Sequence, residues 1–588
     1  MKYTINKISC SLTLCALLIS GGAQAHDQEW ENGLRLETDH RLSLGALMRV
    51  QSRDQSLIGI GNGGTARSTN GDDGNLTFDR GDVVASALKF ASDISLSRGD
   101  SGLFVRASVL FDETINNHGF FDVNDYGAGK EAPLSEYTDK NRKLHGHNGS
   151  YVEVLDAYLF TSVRLFERDI ALRAGRQIIN WGESTLILNG INSTLAVDAN
   201  RLRVPGFELN EVLQPAEQLW LAAQIVGNLN VEAFYQLRWR NTEPDAAGSY
   251  FSAQDFVGIG ATRANIGFGA PNENTPGTTV PRAADRTPRN SGQFGVKLDY
   301  TFDALDSLNL ALYVSRYHSR LPVFSGTSKP TFGSPSTAAN YFTEYPENIQ
   351  LYGLSFNTAL PFGGLAIQGE YSYKKDQPLQ IDDVELLLTG LGVPSQLSPA
   401  LGASLGGKYI RGWRRHNVQQ ADIGLTKIFS PSDWFGYDQM VGLFEAAVMD
   451  ADLPPSSTLR YEAPATYTPG DCTLSAAACT GGVTQNTTPY ASPRSWGYRL
   501  LARFDYNNAF GSAIGLQPTV TFAHDVNGTS PAPLTNFVEG RKQVSLVLGF
   551  RYLENWNGEI GYVNFLGAGS RNLINDRDYV DMSVKYSF

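Results

Sequence analysis

The segment Tyr579-Val-Asp-Met-Ser-Val-Lys-Tyr-Ser-Phe588 alternates along its whole length. Val580, Met582, Val584, Tyr586 and Phe588 fall on one side of an extended chain; Tyr579, Asp581, Ser583, Lys585 and Ser587 fall on the other. Successive side chains of a strand point to opposite faces, so this strand is apolar on one side and polar on the other. A single strand of this kind fits any half-buried sheet edge. Recurrence is what constrains the fold. Leu42, Leu44, Ala46, Met48 and Val50 alternate with Ser43, Gly45, Arg49 and Gln51, with Leu47 breaking the polar side, and Leu88, Phe90, Ile94 and Leu96 oppose Lys89, Asp93, Ser95 and Ser97. After Arg98-Gly-Asp-Ser-Gly102 the chain returns with Leu103, Val105, Ala107, Val109 and Phe111 against Arg106 and Ser108, a hairpin with a short turn.

About eighteen such segments (16–18) can be marked: 41–51, 87–97, 103–112, 151–162, 168–178, 217–226, 229–240, 291–302, 307–319, 349–360, 364–375, 416–429, 439–450, 496–506, 515–526, 541–553, 557–566 and 578–588. Each is ~10 residues, the length a tilted strand needs to cross a bilayer. Short turns follow the even segments, and long polar connections such as 52–86, 113–150, 241–290 and 451–495 follow the odd ones. With both termini on one side, every short turn lands on that side, the pattern of a transmembrane antiparallel β-barrel with lipid outside and a polar lumen inside. A soluble sandwich has no reason for that regularity, and a large soluble chain would split into domains. The expected fold is all-β: one barrel domain over 26–588.

Lys2 and Lys7 precede the apolar run Ile8 to Ile19 and then Ala23-Gln24-Ala25. That arrangement reads as a secretory signal, residues 1–25, cut before His26. A lipoprotein reading would place the lipid on Cys15, but Thr13 and Leu14 fit that poorly and the apolar core runs on past it. Beyond the leader no stretch approaches ~18 apolar residues. Hydrophobic content is 42% and mean hydropathy −0.23, values too polar for a helical membrane protein but equally fitting a barrel whose lipid face is every second residue and a soluble periplasmic protein. The leader takes away two lysines and no acid, so net charge moves from −12 to −14. This acid excess argues against a nucleic-acid partner and against a phosphate-selective pore. Cys472 and Cys479 remain in an exported chain, in a Pro/Ser/Thr/Ala-rich stretch, and read as a disulfide closing a small loop.

Two connections look structured. Residues 179–216 carry several apolar groups and Pro205-Gly206, and are expected to fold inward as a constriction. Residues 382–405, with Val384, Leu386, Leu387, Leu388, Leu391, Val393, Leu397 and Leu401, read as short apolar helix that plugs the lumen, forms a greasy outer patch, or packs against neighbouring loops.

Asp93, Arg106, Asp156, Arg173, Glu232, Arg238, Glu370 and Lys374 are the candidate lumen-lining charges. They would select solutes by sign or satisfy one another, as their mixed signs suggest. Arg176, Trp181 and Glu183, where the fifth strand becomes a loop, would orient a ligand or anchor the inward loop by an Arg–Glu pair and an interfacial Trp. Asn70-Gly-Asp-Asp-Gly-Asn75 is rich in oxygen ligands but lacks the spaced acids of a calcium loop, and reads as a solvated turn. His318-Ser319 and His524-Asp525 are strand neighbours and point apart, and no Gly-x-Ser-x-Gly elbow stands in a strand–helix setting, so an enzyme is not expected. No catalytic, cofactor or metal residue is assigned.

Longer motifs carry a family signal. They are Gly175-Arg-Gln-Ile-Ile-Asn-Trp-Gly-Glu-Ser184; Tyr235-Gln236 with Trp239; Gly248-Ser-Tyr-Phe-Ser252 with Asp255; Tyr317-His-Ser-Arg-Leu-Pro322; Tyr345-Pro-Glu-Asn348; Gly353-Leu-Ser-Phe-Asn-Thr358; His524-Asp-Val526; Asn536-Phe537; Glu539-Gly540-Arg541; and Asp576-Arg-Asp578. In this order the chain resembles the DUF1302 family of Gram-negative outer-membrane proteins over nearly its whole mature length. The resemblance implies an outer-membrane location. The terminal strand is similar to the signal read by the barrel-assembly machinery. Family members are often associated with a periplasmic DUF1329 protein and an RND-type inner-membrane transporter, which implies traffic of small hydrophobic molecules. The alternatives are a plugged barrel that docks periplasmic partners and, further off, an outer-membrane hydrolase.

Overall fold

The computed structural model describes residues 26–117, 149–165, 167–271, 275–305, 307–360, 363–398, 405–432, 435–467 and 490–588. The leader and the Cys472–Cys479 pair lie outside the described residues.

Eighteen strands close a barrel: β1 (Leu34–Arg49), β2 (Val83–Arg98), β3 (Ser101–Asp112), β4 (Ser150–Leu165), β5 (Arg168–Gln177), β6 (Ala216–Val226), β7 (Leu229–Gln236), β8 (Gln293–Phe302), β9 (Leu308–Tyr317), β10 (Ile349–Ala359), β11 (Leu365–Gln380), β12 (Trp413–Phe429), β13 (Gln439–Ala451), β14 (Arg494–Ala509), β15 (Ile514–Asn527), β16 (Lys542–Tyr552), β17 (Trp556–Leu566) and β18 (Tyr579–Ser587). Neighbours in sequence pair antiparallel throughout, and β18 closes the ring on β1 with Arg41 opposite Ser587 and Arg49 opposite Tyr579. Closure leaves no free sheet edge, the condition for a sheet to cross a bilayer. All eighteen segments marked in the sequence are barrel strands.

Their ends differ where alternation is a poor guide. β1 begins at Leu34, seven residues before the expected 41, because Arg35, Glu37 and Asp39 extend it past the last residue of β18. That overhang is covered by a nineteenth strand, His26–Glu29, paired to Arg35–Thr38. β7 stops at Gln236 rather than 240, and β11 runs on to Gln380 through an irregularity between Lys374 and Gln377.

The faces are sorted as a membrane requires. Leu44, Leu312, Leu546, Ile560 and Met582 point outward and are exposed, while Lys89, Glu370, Lys374 and Glu445 point inward and are buried. This inverts the arrangement of a soluble protein and marks the outer surface as lipid-facing. Exposed aromatics bound the band: Phe302, Tyr552 and Trp556 near the short-turn end, and Tyr235, Phe294 and Trp496 near the long-loop end. Along β8 the span from Phe294 to Phe302 is about 26 Å at ~3.3 Å per residue before tilt, matching an apolar band ~25 Å tall.

At the long-loop end the loops carry structure of their own. Val323–Thr327 pairs with Asn340–Glu344 and with Tyr409–Ile410 in a small antiparallel sheet. The helix Asp383–Gly390 packs on it through Leu386. Of the three outcomes open for 382–405, packing among loops is the one observed for its described part. The Asn70–Asn75 turn is not solvated: Asp72, Asp73 and Asn75 are buried, and Asp72 accepts from the Gly59 N–H (2.8 Å) and Asn62 Nδ2 (3.0 Å). It is a buried staple between loops.

Candidate functional site

The β5–β6 connection, residues 178–215, turns into the lumen and is clasped by wall carboxylates. Glu370 on β11 accepts from the backbone N–H of Glu183 (2.7 Å), Ser184 (3.1 Å) and Ile191 (2.8 Å). Glu445 on β13 accepts from the N–H of Thr185 (3.0 Å), Leu186 (2.9 Å) and Ile187 (2.9 Å), and from Ser184 Oγ (2.9 Å). Irregular backbone is tolerated at membrane depth only where its polar groups find partners inside the protein, and these two side chains supply them. The chain fits tightly at two glycines. A Cβ on Gly182 would lie 2.5 Å from Glu370 Oε2, and one on Gly190 would lie 2.0 Å from Glu370 Oε1. Lys374 holds the same turn through the Asn189 carbonyl and Ser193 Oγ.

The returning half is pinned to the other side of the ring. Glu208 pairs with Lys585 on β18 and with Arg41 on β1 (3.4 Å), and Glu211 pairs with Lys89 on β2 (2.5 Å). Arg201 pairs with Glu153 on β4.

Each expected site residue has a definite place. Asp93, Arg106 and Asp156 form an inward chain, with Arg106 2.7 Å from Asp93 and 3.4 Å from Asp156. Arg173 stacks over Trp220 at 4.8 Å and Tyr158 at 5.5 Å. Glu232 pairs with Lys297 (3.0 Å) and accepts from Trp181 Nε1 (3.0 Å). Glu370 and Lys374 hold the inward segment. Arg238 is a correction: it lies two residues past the end of β7, 64% exposed, and reaches only Glu217 at 3.7 Å. The anticipated Arg176–Glu183 pair is a second correction. Arg176 binds Glu153 (2.8 Å), while Glu183 accepts from Asn357 (2.9 Å). Trp181 is not interfacial; it is buried in the lumen against Phe234 and Tyr313. His318 joins loops with both ring nitrogens: Nδ1 accepts from the Asn348 N–H (3.1 Å), and Nε2 lies 3.0 Å from the Ser291 carbonyl.

Sequence reasoning missed Glu445, Glu208, Glu211 and Lys89. Glu445 had a signal: it is the lone charge on an inner face otherwise built of Val441, Leu443, Ala447 and Met449. The rest are ordinary charges whose partners lie too far along the chain to be foreseen.

The lumen is filled unevenly. Along β11–β13 the inner residues Ser372, Gln420, Asp422 and Ala447 are buried under the segment. Along β15 and β16 the inner face carries Thr519, Thr521, Ala523 and Ser545, small groups with partial exposure; the neighbouring inner face of β14 carries Arg499, Leu501, Arg503 and Asp505, and the Arg503 side chain is 45% exposed.

Above the barrel, six loops line a cavity of about 250 Å³. Its walls are mostly apolar, including Phe256, Ile266, Val280, Phe324, Leu387 and Leu391, with Asn70, Gln254, Asn265 and Asn340 among the polar groups. Leu386, also on the wall, belongs to the same buried cluster as Ile187 of the inward segment, so cavity and lumen share one apolar body. Asp383 and Glu462 stand at its edge. Burial pushes the Asp383 carboxyl up to about 6 and that of Glu462 well above the usual range.

The profile of a family described as "Protein of unknown function (DUF1302)" matches residues 8–588. No curated protein matches the chain. Among solved structures it is similar to Acinetobacter baumannii OccAB3 (11% identity, 94% of this chain and 99% of that one, TM-score 0.42). It is also similar to Pseudomonas aeruginosa OccK2 (OpdF) in complex with glucuronate (10%, 94% and 98%, 0.40) and to a BenF-like porin from Pseudomonas fluorescens Pf-5 (9%, 94% and 98%, 0.42).

Proposed function

We propose that this chain, which belongs to the DUF1302 family, is an outer-membrane conduit for small hydrophobic molecules and not an enzyme. The observation that carries this is the uneven lumen: the inward segment is held against β11–β13, while the inner faces of β15 and β16 keep the small, partly exposed Thr519, Thr521, Ala523 and Ser545. A route bounded by Thr519, Thr521 and Ser545 on one side and the segment on the other is narrow, and suits small solutes. The apolar cavity at the long-loop end supports a hydrophobic cargo, since apolar walls favour apolar ligands. Cargo would enter there and leave at the short-turn end, where a periplasmic DUF1329 protein and an RND-type inner-membrane transporter would stand next in line.

A second reading has its own support. The six backbone N–H groups bound by Glu370 and Glu445 fit a permanently plugged barrel that docks periplasmic partners. Planar-bilayer recordings and uptake into proteoliposomes by the full-length mature protein separate the two. Conductance above empty vesicles, or uptake of a small apolar solute, supports the conduit. Absence of both, together with a stable complex with a periplasmic protein, supports the dock.

A further inference from the structure

We infer that the cavity among the outer loops is a binding site for a small organic cation, an apolar body carrying a protonated amine. The walls supply the apolar contact and the aromatic rings Phe324 and Tyr341, whose faces attract cations. The edge supplies negative charge in excess. Carboxylate oxygens of Asp382, Asp383 and Glu462 lie within 4.8 Å of one another. The guanidinium of Arg460 already pairs with two acids, Asp382 (3.1 Å) and Glu385 (2.8 Å). Arg67, also on the wall, has an interaction of its own.

The acids have a structural task, and it accounts for only some of them. Asp382 caps the helix by accepting from the Val384 N–H (3.0 Å), and Glu462 accepts from the Asp383 N–H (2.8 Å). The Asp383 side chain is not needed for that cap, yet it stands on the cavity wall beside Glu462. Two neighbouring carboxyls at an apolar cavity resist ionising together. A bound ammonium supplies the missing positive charge and two charge-assisted hydrogen bonds, while the hydrocarbon part lies against Leu386 and Leu387. A carboxylate ligand would meet like charge at the same place, and a neutral one would gain only the apolar contact.

The inference rests on the conduit reading for where the ligand goes next, but binding is measured without passage. The mature full-length protein in lipid nanodiscs is titrated calorimetrically with 1-aminoadamantane, 1-adamantanol and adamantane-1-carboxylate, which share one apolar body and differ in the head group; empty nanodiscs give the lipid background. The amine is expected to bind at least tenfold tighter than the alcohol, with the carboxylate weakest. Asp383→Asn with Glu462→Gln is expected to erase the amine's advantage and leave the alcohol unchanged. Equal binding of all three, a preference for the carboxylate, or no binding overturns the inference. So does displacement of the amine by calcium alone, which would make the edge a metal site. Should the double variant fail to fold, the comparison of head groups on the unaltered protein still decides. A protein that passes solutes but ignores the amine sinks this inference and spares the conduit; the reverse result does the opposite.

Discussion

The backbone N–H of Ile187 donates to the Glu445 carboxylate at 2.9 Å, across 258 positions of sequence. One inward-facing acid of β13 thereby fixes the tip of a segment that enters from the other side of the barrel. The same carboxylate takes Thr185 and Leu186, so a single side chain satisfies three consecutive donors.

Glu445→Ala removes that acceptor. Each buried donor left unmet costs roughly 1–3 kcal/mol, so local stability of the segment should fall by on the order of 3 kcal/mol. The barrel itself should survive, because its strands do not depend on Glu445. The expected outcome is faster hydrogen exchange at 183–191 and larger, noisier conductance at unchanged heat-modifiable mobility. Unchanged exchange would mean the clasp is not what holds the segment.

Gly190→Ala attacks the same hold from the other side. Its Cβ would sit 2.0 Å from Glu370 Oε1, whereas Gly333 has nothing within 4 Å of the same addition. Gly190→Ala should raise conductance and Gly333→Ala should not. Identical traces for the two variants would contradict the packing described.

The face assignment predicts opposite costs for one substitution. Met582 is 56% exposed to the outside, and Thr521 lies on the inner face. Arginine on the lipid face of a barrel costs ~2–4 kcal/mol at the midplane, while a lumen site tolerates it. Reversible folding into vesicles should show a clear loss for Met582→Arg and little for Thr521→Arg. The lumen variant should instead shift ion selectivity toward anions.

Asp72 gives a pH test outside the membrane. Burial pushes its carboxyl up to about 7, from an ordinary value near 4. Between those values the folded chain keeps a proton that the unfolded chain has lost, so stability falls as pH rises through that window and levels off above it. Protection of the 52–82 loop from protease should therefore be greater at pH 5 than at pH 8. Asp72→Asn should flatten the difference, keeping an acceptor for the Gly59 N–H without a buried charge.

How much of this was legible depends on distance along the chain. The strands were readable because each writes its lipid face every second residue. The overhang of β1 was not, since Thr38, Asp39 and His40 are consecutive polar residues that break the alternation between Leu36 and Leu42. The inward segment was visible as an apolar, Pro-Gly-containing connection, but its holds were not. Glu183 looked ready for Arg176, seven residues away, yet the fold gives Arg176 to Glu153 and the Glu183 backbone to Glu370. The outer cavity left no local trace, being assembled from six loops that meet only in space. The Asp72–Asp73 pair misled for the same reason: an acidic turn looks solvated until other loops cover it.

The most direct measurement is thiol modification of a single lumen position during planar-bilayer recording. Thr521→Cys faces the lumen from β15, and the unmodified protein serves as control for Cys472 and Cys479. If solutes pass along β14–β16, a charged methanethiosulfonate reagent will reduce the current through Thr521→Cys and leave the control unchanged. A current indifferent to modification at Thr521, or a barrel that neither conducts nor takes up a small apolar solute, would contradict the conduit.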